Sequence, residues 1–220
     1  MQRSAGRRRL VNATLLGAAT VALPALATSR RWLPPMTDGP FYPPLAYRAR
    51  GVDWDADLTE VRGTAPDGQP RPRALGEHFE LYGPVIDVDG RIVDGAEVEV
   101  WQCDFHASYR HPRGAADRID DGFQGFGATR SDALGIYRFR TIRPVPYPGR
   151  TPHIHVKLRH PSFGEVTSQL FVAGDPGNAR DFLYRQLAED ERRFTDMASQ
   201  RAPKGSPIVW QAERSIVVNR

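Results

Sequence analysis

The sequence predicts an all-β protein: a β-sandwich core with an irregular N-terminal arm and one short helix near the C-terminus. Three observations predict it. Short stretches of alternating apolar and polar residues recur along the chain, as half-buried strands do. Turn signals rich in Gly, Pro and Asp separate them. Only one late stretch has helical periodicity, and there is no internal repeat.

Residues 28–50 are rich in Pro, Arg and aromatics without a period, and read as an irregular arm containing Asp38-Gly39-Pro40-Phe41-Tyr42-Pro43. Residues 51–76 are polar and read as loop or short edge strand, with a turn at Pro66-Asp67-Gly68. Phe79 to Asp87 is the first strand, followed by a hairpin-type turn at Asp89-Gly90. Ala96 to Cys103 alternates small or apolar residues with polar ones. Residues 104–128 carry Gly, Asp and His without periodicity, and a loop of that length in a compact domain is often functional. Ile136 to Ile142 alternates again, and His153 to Leu158 and Thr167 to Val172 are two further strands. Asp181 to Met197 spaces Phe182, Leu183, Leu187 and Phe194 for one helical face. Ile208 to Val218 closes the chain as one or two strands.

The 220 residues suffice for one domain of ordinary size. Residues 1–27 read as an export signal: Arg3, Arg7, Arg8 and Arg9 precede a weakly apolar stretch that ends in Ala25-Leu26-Ala27. Asn12, Gly17 and Pro24 make that stretch a poor membrane span. The arginine pair points to the Tat route, with a general secretory signal as the other reading, and to a periplasmic or extracellular location for the domain at 28–220. The segment holds four arginines and no acid, so its removal takes the formal charge from +4 to zero. Arginines elsewhere are interspersed with acids, and no basic stripe marks a nucleic-acid partner. The single cysteine, Cys103, excludes an intrachain disulfide and falls in an apolar strand pattern.

Chemistry concentrates in Tyr147-Pro148-Gly149-Arg150-Thr151-Pro152-His153-Ile154-His155, with Tyr109 upstream. Residues two apart on a strand share a face, so His153 and His155 are placed to bind one ion. Phenolate oxygens are hard ligands and imidazole suits iron, so two Tyr with two His favour ferric iron over zinc or copper. His106 and His111 flank Tyr109 and read as loop or supporting residues; His78 and His160 read as surface residues. Asp117, Asp120 and Asp121 read as a solvated acidic loop and not as calcium ligands.

These stretches resemble the intradiol ring-cleavage dioxygenases, in the single-domain branch that is similar to protocatechuate 3,4-dioxygenase. The resemblance is carried by Asp38 to Pro43, by Gly83-Pro84-Val85-Ile86-Asp87 and by Val100-Trp101-Gln102-Cys103-Asp104. It continues through Tyr109-Arg110-His111, Gly135 to Ile142, Tyr147 to His155 and Thr167-Ser168-Gln169-Leu170-Phe171. It implies four ligands to a non-haem Fe(III), at Tyr109, Tyr147, His153 and His155. It also implies catalytic roles for Tyr147, Arg150 and Gln169, and a substrate pocket lined by Gly39, Pro40 and Arg150. The implied reaction opens a catechol-type ring with O₂ to a muconate-type diacid. Where this family carries Gly before its first tyrosine ligand, the chain has Ala107-Ser108. The resemblance leaves open whether Gly39-Pro40 serves its own site or that of a neighbour in a homo-oligomer. Two rival readings remain: an inactive β-sandwich module binding an aromatic or a carbohydrate, and a zinc hydrolase using the His pair with Glu165 as base.

Overall fold

The computed structural model describes residues 32–65, 67–114 and 118–220, so the segment 1–27, Pro66 and Asp117 lie outside the described residues. Two five-stranded sheets pack face to face, an all-β sandwich as the alternating strands predict. In the first sheet β1 (His78–Asp87) runs antiparallel to β4 (Ile136–Ile142) and parallel to β9 (Trp210–Glu213) and β10 (Ile216–Val218), with β8 (Gln200–Arg201) beyond β9. The second has the order β3 (Phe126–Arg130), β2 (Glu97–Trp101), β5 (His153–His160), β6 (Gly164–Val172), β7 (Asp196–Met197).

β1 passes from β9 to β10 at Gly83-Pro84. Gly83 has φ 153°, and a Cβ there would lie 2.3 Å from the carbonyl oxygen of Arg214, between the two partner strands. Only glycine admits that approach.

Between the sheets lie Ile154, Val156 and Leu158 of β5, Val98 and Val100 of β2 and Leu170 of β6, against Phe79, Leu81, Phe139 and Ile142 of the first sheet. Each such side chain contributes roughly 1.5–3 kcal/mol by burial. A core of this kind stabilises a chain that has one buried cysteine and no disulfide.

Alternation turns His153, His155 and Lys157 to the other face of the second sheet. The N-terminal arm covers that face. Met36 N donates to Thr167 O, Ser168 Oγ to Pro34 O and Ala128 N to Trp54 O. Phe41, Tyr42, Tyr47 and Trp54 pack against Trp101, Tyr109 and Phe126 in a second apolar layer. β5 is therefore buried on both faces, unusual for an antiparallel strand.

The structure departs from the sequence reading in four places. The arm contains one helical turn, α1 (Ala46–Ala49). β3 lies within and beyond the stretch read as loop. The predicted helix at 181–197 is broken into a 3₁₀ turn at Tyr184–Gln186, a four-residue helix α2 (Glu189–Arg192) and β7. Ala188 is extended, Thr195 O accepts from Phe171 N and Met197 O accepts from Ala173 N. Strand pairing to the sheet edge overrides helical spacing there. Asp120 is buried, not solvated, and its carboxylate accepts from Leu75 N and Gly122 N. Among the described residues no helix is long and apolar enough to cross a membrane.

Candidate metal centre

The four side chains singled out above converge under the arm. His153 and His155 open β5, where Trp101 and Gln169 stand opposite His155 in register. Their Nε2 atoms are 3.2 Å apart. Tyr109 comes from the β2–β3 connection, and its Oη is 3.5 Å from His153 Nε2. Tyr147 enters from the turn before β5, with its ring 5.5 Å from those of Tyr109 and His153. That turn, Tyr147-Pro148-Gly149-Arg150, has Pro second and Gly third with φ 83°, and Arg150 N donates to Tyr147 O at 2.9 Å. This is the type II pattern, and it sets Arg150 beside Tyr147.

Tyr109 is presented by a loop organised around the buried Asp104. One oxygen of that carboxylate accepts from His106 N and Ser108 N, the other from Asp120 N. Ala107 in this loop has φ 63°, the only positive φ outside glycine among the described residues. His106 packs its ring edge-on against Phe105, and His111 sits beside Phe41.

The donor set fits a highly charged ion. Thr151 O lies 2.7 Å from His153 Nδ1, so that nitrogen carries the proton and Nε2 presents its lone pair to the centre. Burial, then the Arg150 charge, push His153 down to about 4. Burial, His153 and Arg150 hold His155 well below 6.5. Both imidazoles are thus neutral and able to ligate. His155 Nδ1 is buried without a partner. Burial pushes Tyr109 well above 10, with Cys103 and Tyr147 adding to it against the opposing pull of Arg150. A buried phenol ionises only beside a strong positive charge, which a trivalent cation supplies. Among the described residues no three of His, Cys, Asp and Glu cluster together, and the polar groups beside the His pair are the two phenols.

Arg150 joins the predicted residues together. Its Nη1 donates to Tyr147 Oη at 3.3 Å and its Nη2 to Gln169 Oε1 at 2.5 Å. Its Nε donates to Asp181 Oδ2 at 2.8 Å. Burial pushes the Asp181 carboxyl up, but Arg150 and the backbone N–H groups of Tyr184 and Thr151 outweigh it and hold the acid below its usual range. The arm contributes Gly39, where a Cβ would stand 3.4 Å from His155 Cε1. Pro40, exposed at the rim, accepts from Arg113 Nη2.

Sequence reasoning missed Asp181, Trp101 and Phe41. Trp101 stacks on His155 at 4.7 Å and 10°, and Phe41 stacks on Tyr109 at 4.6 Å. Strand alternation put Trp101 and the histidines on comparable faces and was a usable signal; Asp181 looked like the start of a helix. Glu165 stands opposite Arg159 and pairs with Lys157 and Arg159, four residues along β5 from His155 and so roughly 13 Å away. That position removes it as a base for the His pair.

A sequence model described as Dioxygenase matches residues 54–206. The protocatechuate 3,4-dioxygenase beta chain of Burkholderia cepacia is 36% identical over 147 residues, 63% of this chain and 60% of that one. The alpha chain from the same organism is 30% identical over 189 residues, 84% of this chain and 91% of that one. The chain thus spans less than two thirds of the first relative and most of the second. Among solved structures, the dioxygenase domain of a dioxygenase carbohydrate-binding protein fusion from Streptomyces sp. SirexAA-E shares 25% identity at TM-score 0.60, covering 85% of this chain and 97% of that domain. A match across most of the sandwich, including the strands that converge two histidines on two tyrosines, establishes that the chain belongs to the intradiol ring-cleavage dioxygenase family.

Proposed function

We propose that this protein is a non-haem Fe(III) dioxygenase that cleaves a catechol-type ring between its two hydroxyl-bearing carbons. Both atoms of O₂ enter the product, a muconate-type diacid. The observation that carries the reading is the meeting of two phenols and two neutral imidazoles beside an arginine. Tyr109, Tyr147, His153 and His155 hold the iron. Bound there, ferric iron supplies the Lewis acidity that draws electron density from the diol ring and prepares it for O₂.

The chain's own residues do the rest. Tyr147 is half-buried, the most accessible of the four. It takes a proton from the incoming diol as general base. Arg150 stabilises negative charge on the ring carbon that meets oxygen, and Gln169 fixes Arg150 from the far side. Gly39 and Pro40 border the space where the ring sits, and the buried aromatic layer excludes water. Residues 1–27 are the cleaved export signal of a protein that folds and loads its metal before Tat transport. N-terminal sequencing of the exported protein checks the cleavage.

The test is metal analysis with a visible spectrum, then oxygen uptake on a panel of substituted catechols with products identified by mass. The expected preparation holds about one iron per chain and is red to purple. A colourless protein after ferric reconstitution, or one that takes zinc, contradicts the reading. Tyr147→Phe is expected to retain iron and bind catechol more slowly without oxygen; parent-like binding rates argue against the base role.

A further inference from the structure

The side chain of Asp181 has no exposed surface, and both of its oxygens are doubly engaged. Oδ2 accepts from Arg150 Nε at 2.8 Å and from Thr151 N at 3.0 Å. Oδ1 accepts from Leu183 N and Tyr184 N, each at 3.0 Å. A carboxylate with four donors around it has no second orientation to adopt. Its segment is clasped to the same turn, because Thr151 Oγ1 donates to Asn178 Oδ1 at 2.8 Å. Arginine is long and rotamer-rich, and its Nε is the one fork position that faces neither Gln169 nor Tyr147. Holding Nε fixes the plane of the guanidinium and so the aim of both remaining ends.

We propose that Asp181 is the positioning residue for Arg150. It locks the fork on Tyr147 and Gln169 before substrate arrives, and it balances a guanidinium whose side chain is 7% exposed. Asp181 touches none of the four metal-binding side chains directly and acts through Arg150. The inference rests on Arg150 as the charge-stabilising group proposed above, and preorganisation is what such a group requires. A loosened Arg150 would still meet the bound diol but would have to find its aim during the reaction.

The experiment uses Asp181→Asn and Arg150→Gln, singly and together. In the metal-free protein, the Arg150 Nε–H proton resonance, assigned by its loss in Arg150→Gln, is expected downfield in the parent and shifted or broadened in Asp181→Asn. In the iron-loaded protein, Asp181→Asn is expected to lower kcat about 10–100-fold with KM changed little, as for other groups that support a site through a neighbour. In the Arg150→Gln background the same change is expected to cost almost nothing further. Additive losses, an unmoved Nε–H resonance, or parent kcat in Asp181→Asn would each overturn the proposal. If the amide variant does not fold, Asp181→Glu serves: it keeps the charge but displaces it by one methylene. It is expected to lower kcat in the parent background and not in Arg150→Gln, and parent kcat overturns the proposal. A parent without iron-dependent oxygen uptake would sink the functional reading alone, since the resonance still reports on positioning.

Discussion

Single residues carry the strain and the charge of this centre. Ala107 adopts φ 63° two residues before Tyr109, where a Cβ crowds the backbone. That conformation costs an L-residue about 1–2 kcal/mol, partly offset when the alternative is glycine with its larger unfolded entropy. Ala107→Gly is therefore expected to stabilise the fold by about 0.5–1 kcal/mol, read as a higher urea midpoint; a lower midpoint would contradict it. The histidines work in the opposite sense. His153 is near 4 in the folded, metal-free protein against 6.5 when exposed, because burial and Arg150 disfavour its cation. Between those values the unfolded chain binds a proton that the folded one refuses. Stability is thus fully present above 6.5 and declines as pH falls toward 4, by about 1.4 kcal/mol per pH unit for one such group. His155 moves the same way. Urea titrations of the metal-free protein at pH 7 and pH 5 are expected to show that loss. His153→Leu should make it shallower, and an equal slope in the variant would rule out this origin.

At the scale of elements, the turn before β5 does the placing. Gly149 has φ 83° with open space around its missing Cβ, so Gly149→Ala introduces backbone strain without a clash. The expected cost is about 1–2 kcal/mol of stability and a weaker visible band, because Tyr147 and Arg150 lose their mutual setting. A parent-like melt and spectrum would mean the turn does not need its left-handed residue. The turn itself was not read although Pro148-Gly149 marks it, whereas the His-x-His spacing beside it was legible because it is a local signal. The strands from β1 to β6 other than β3 were legible for the same reason. β3 was not: Phe126-Gly127-Ala128 lacks alternation because Gly127 lets the arm cross, and a Cβ there would meet Asp55 O at 2.0 Å. The helix expected at 181–197 failed where Asp181 turned inward to Arg150 and residues 195–197 joined the sheet edge. Local spacing does not record a partner thirty residues away.

The whole molecule adds a layer that no periodicity announces. The arm returns across the outer face of the second sheet, where side-chain contacts distant in sequence add to its backbone hydrogen bonds. Tyr42 Oη donates to Glu99 Oε2 at 2.7 Å, Arg48 pairs with the same carboxylate, and Lys157 Nζ lies 3.0 Å from Asp38 Oδ2. Gly39 stands over His155 next to the last of these, so the tie that holds the arm also closes the centre. Lys157 is buried while Asp38 and Glu165 keep 42% and 50% of their side-chain surface in solvent. Replacing it by methionine preserves the packed stem and lets both carboxylates rehydrate. The global cost is then about 1 kcal/mol or less. The local consequence is larger in effect, since the arm loses an anchor that the core does not share. Lys157→Met is expected to unfold at nearly the parent midpoint while trypsin cuts within the arm, at the exposed Arg48 or Arg50, about fivefold faster for each kcal/mol of anchoring lost. Unchanged cleavage at an unchanged midpoint would show that the arm's other ties, from Tyr42, Arg48 and the backbone, hold it without Lys157. A large fall in the midpoint would show that the arm unfolds only with the sandwich.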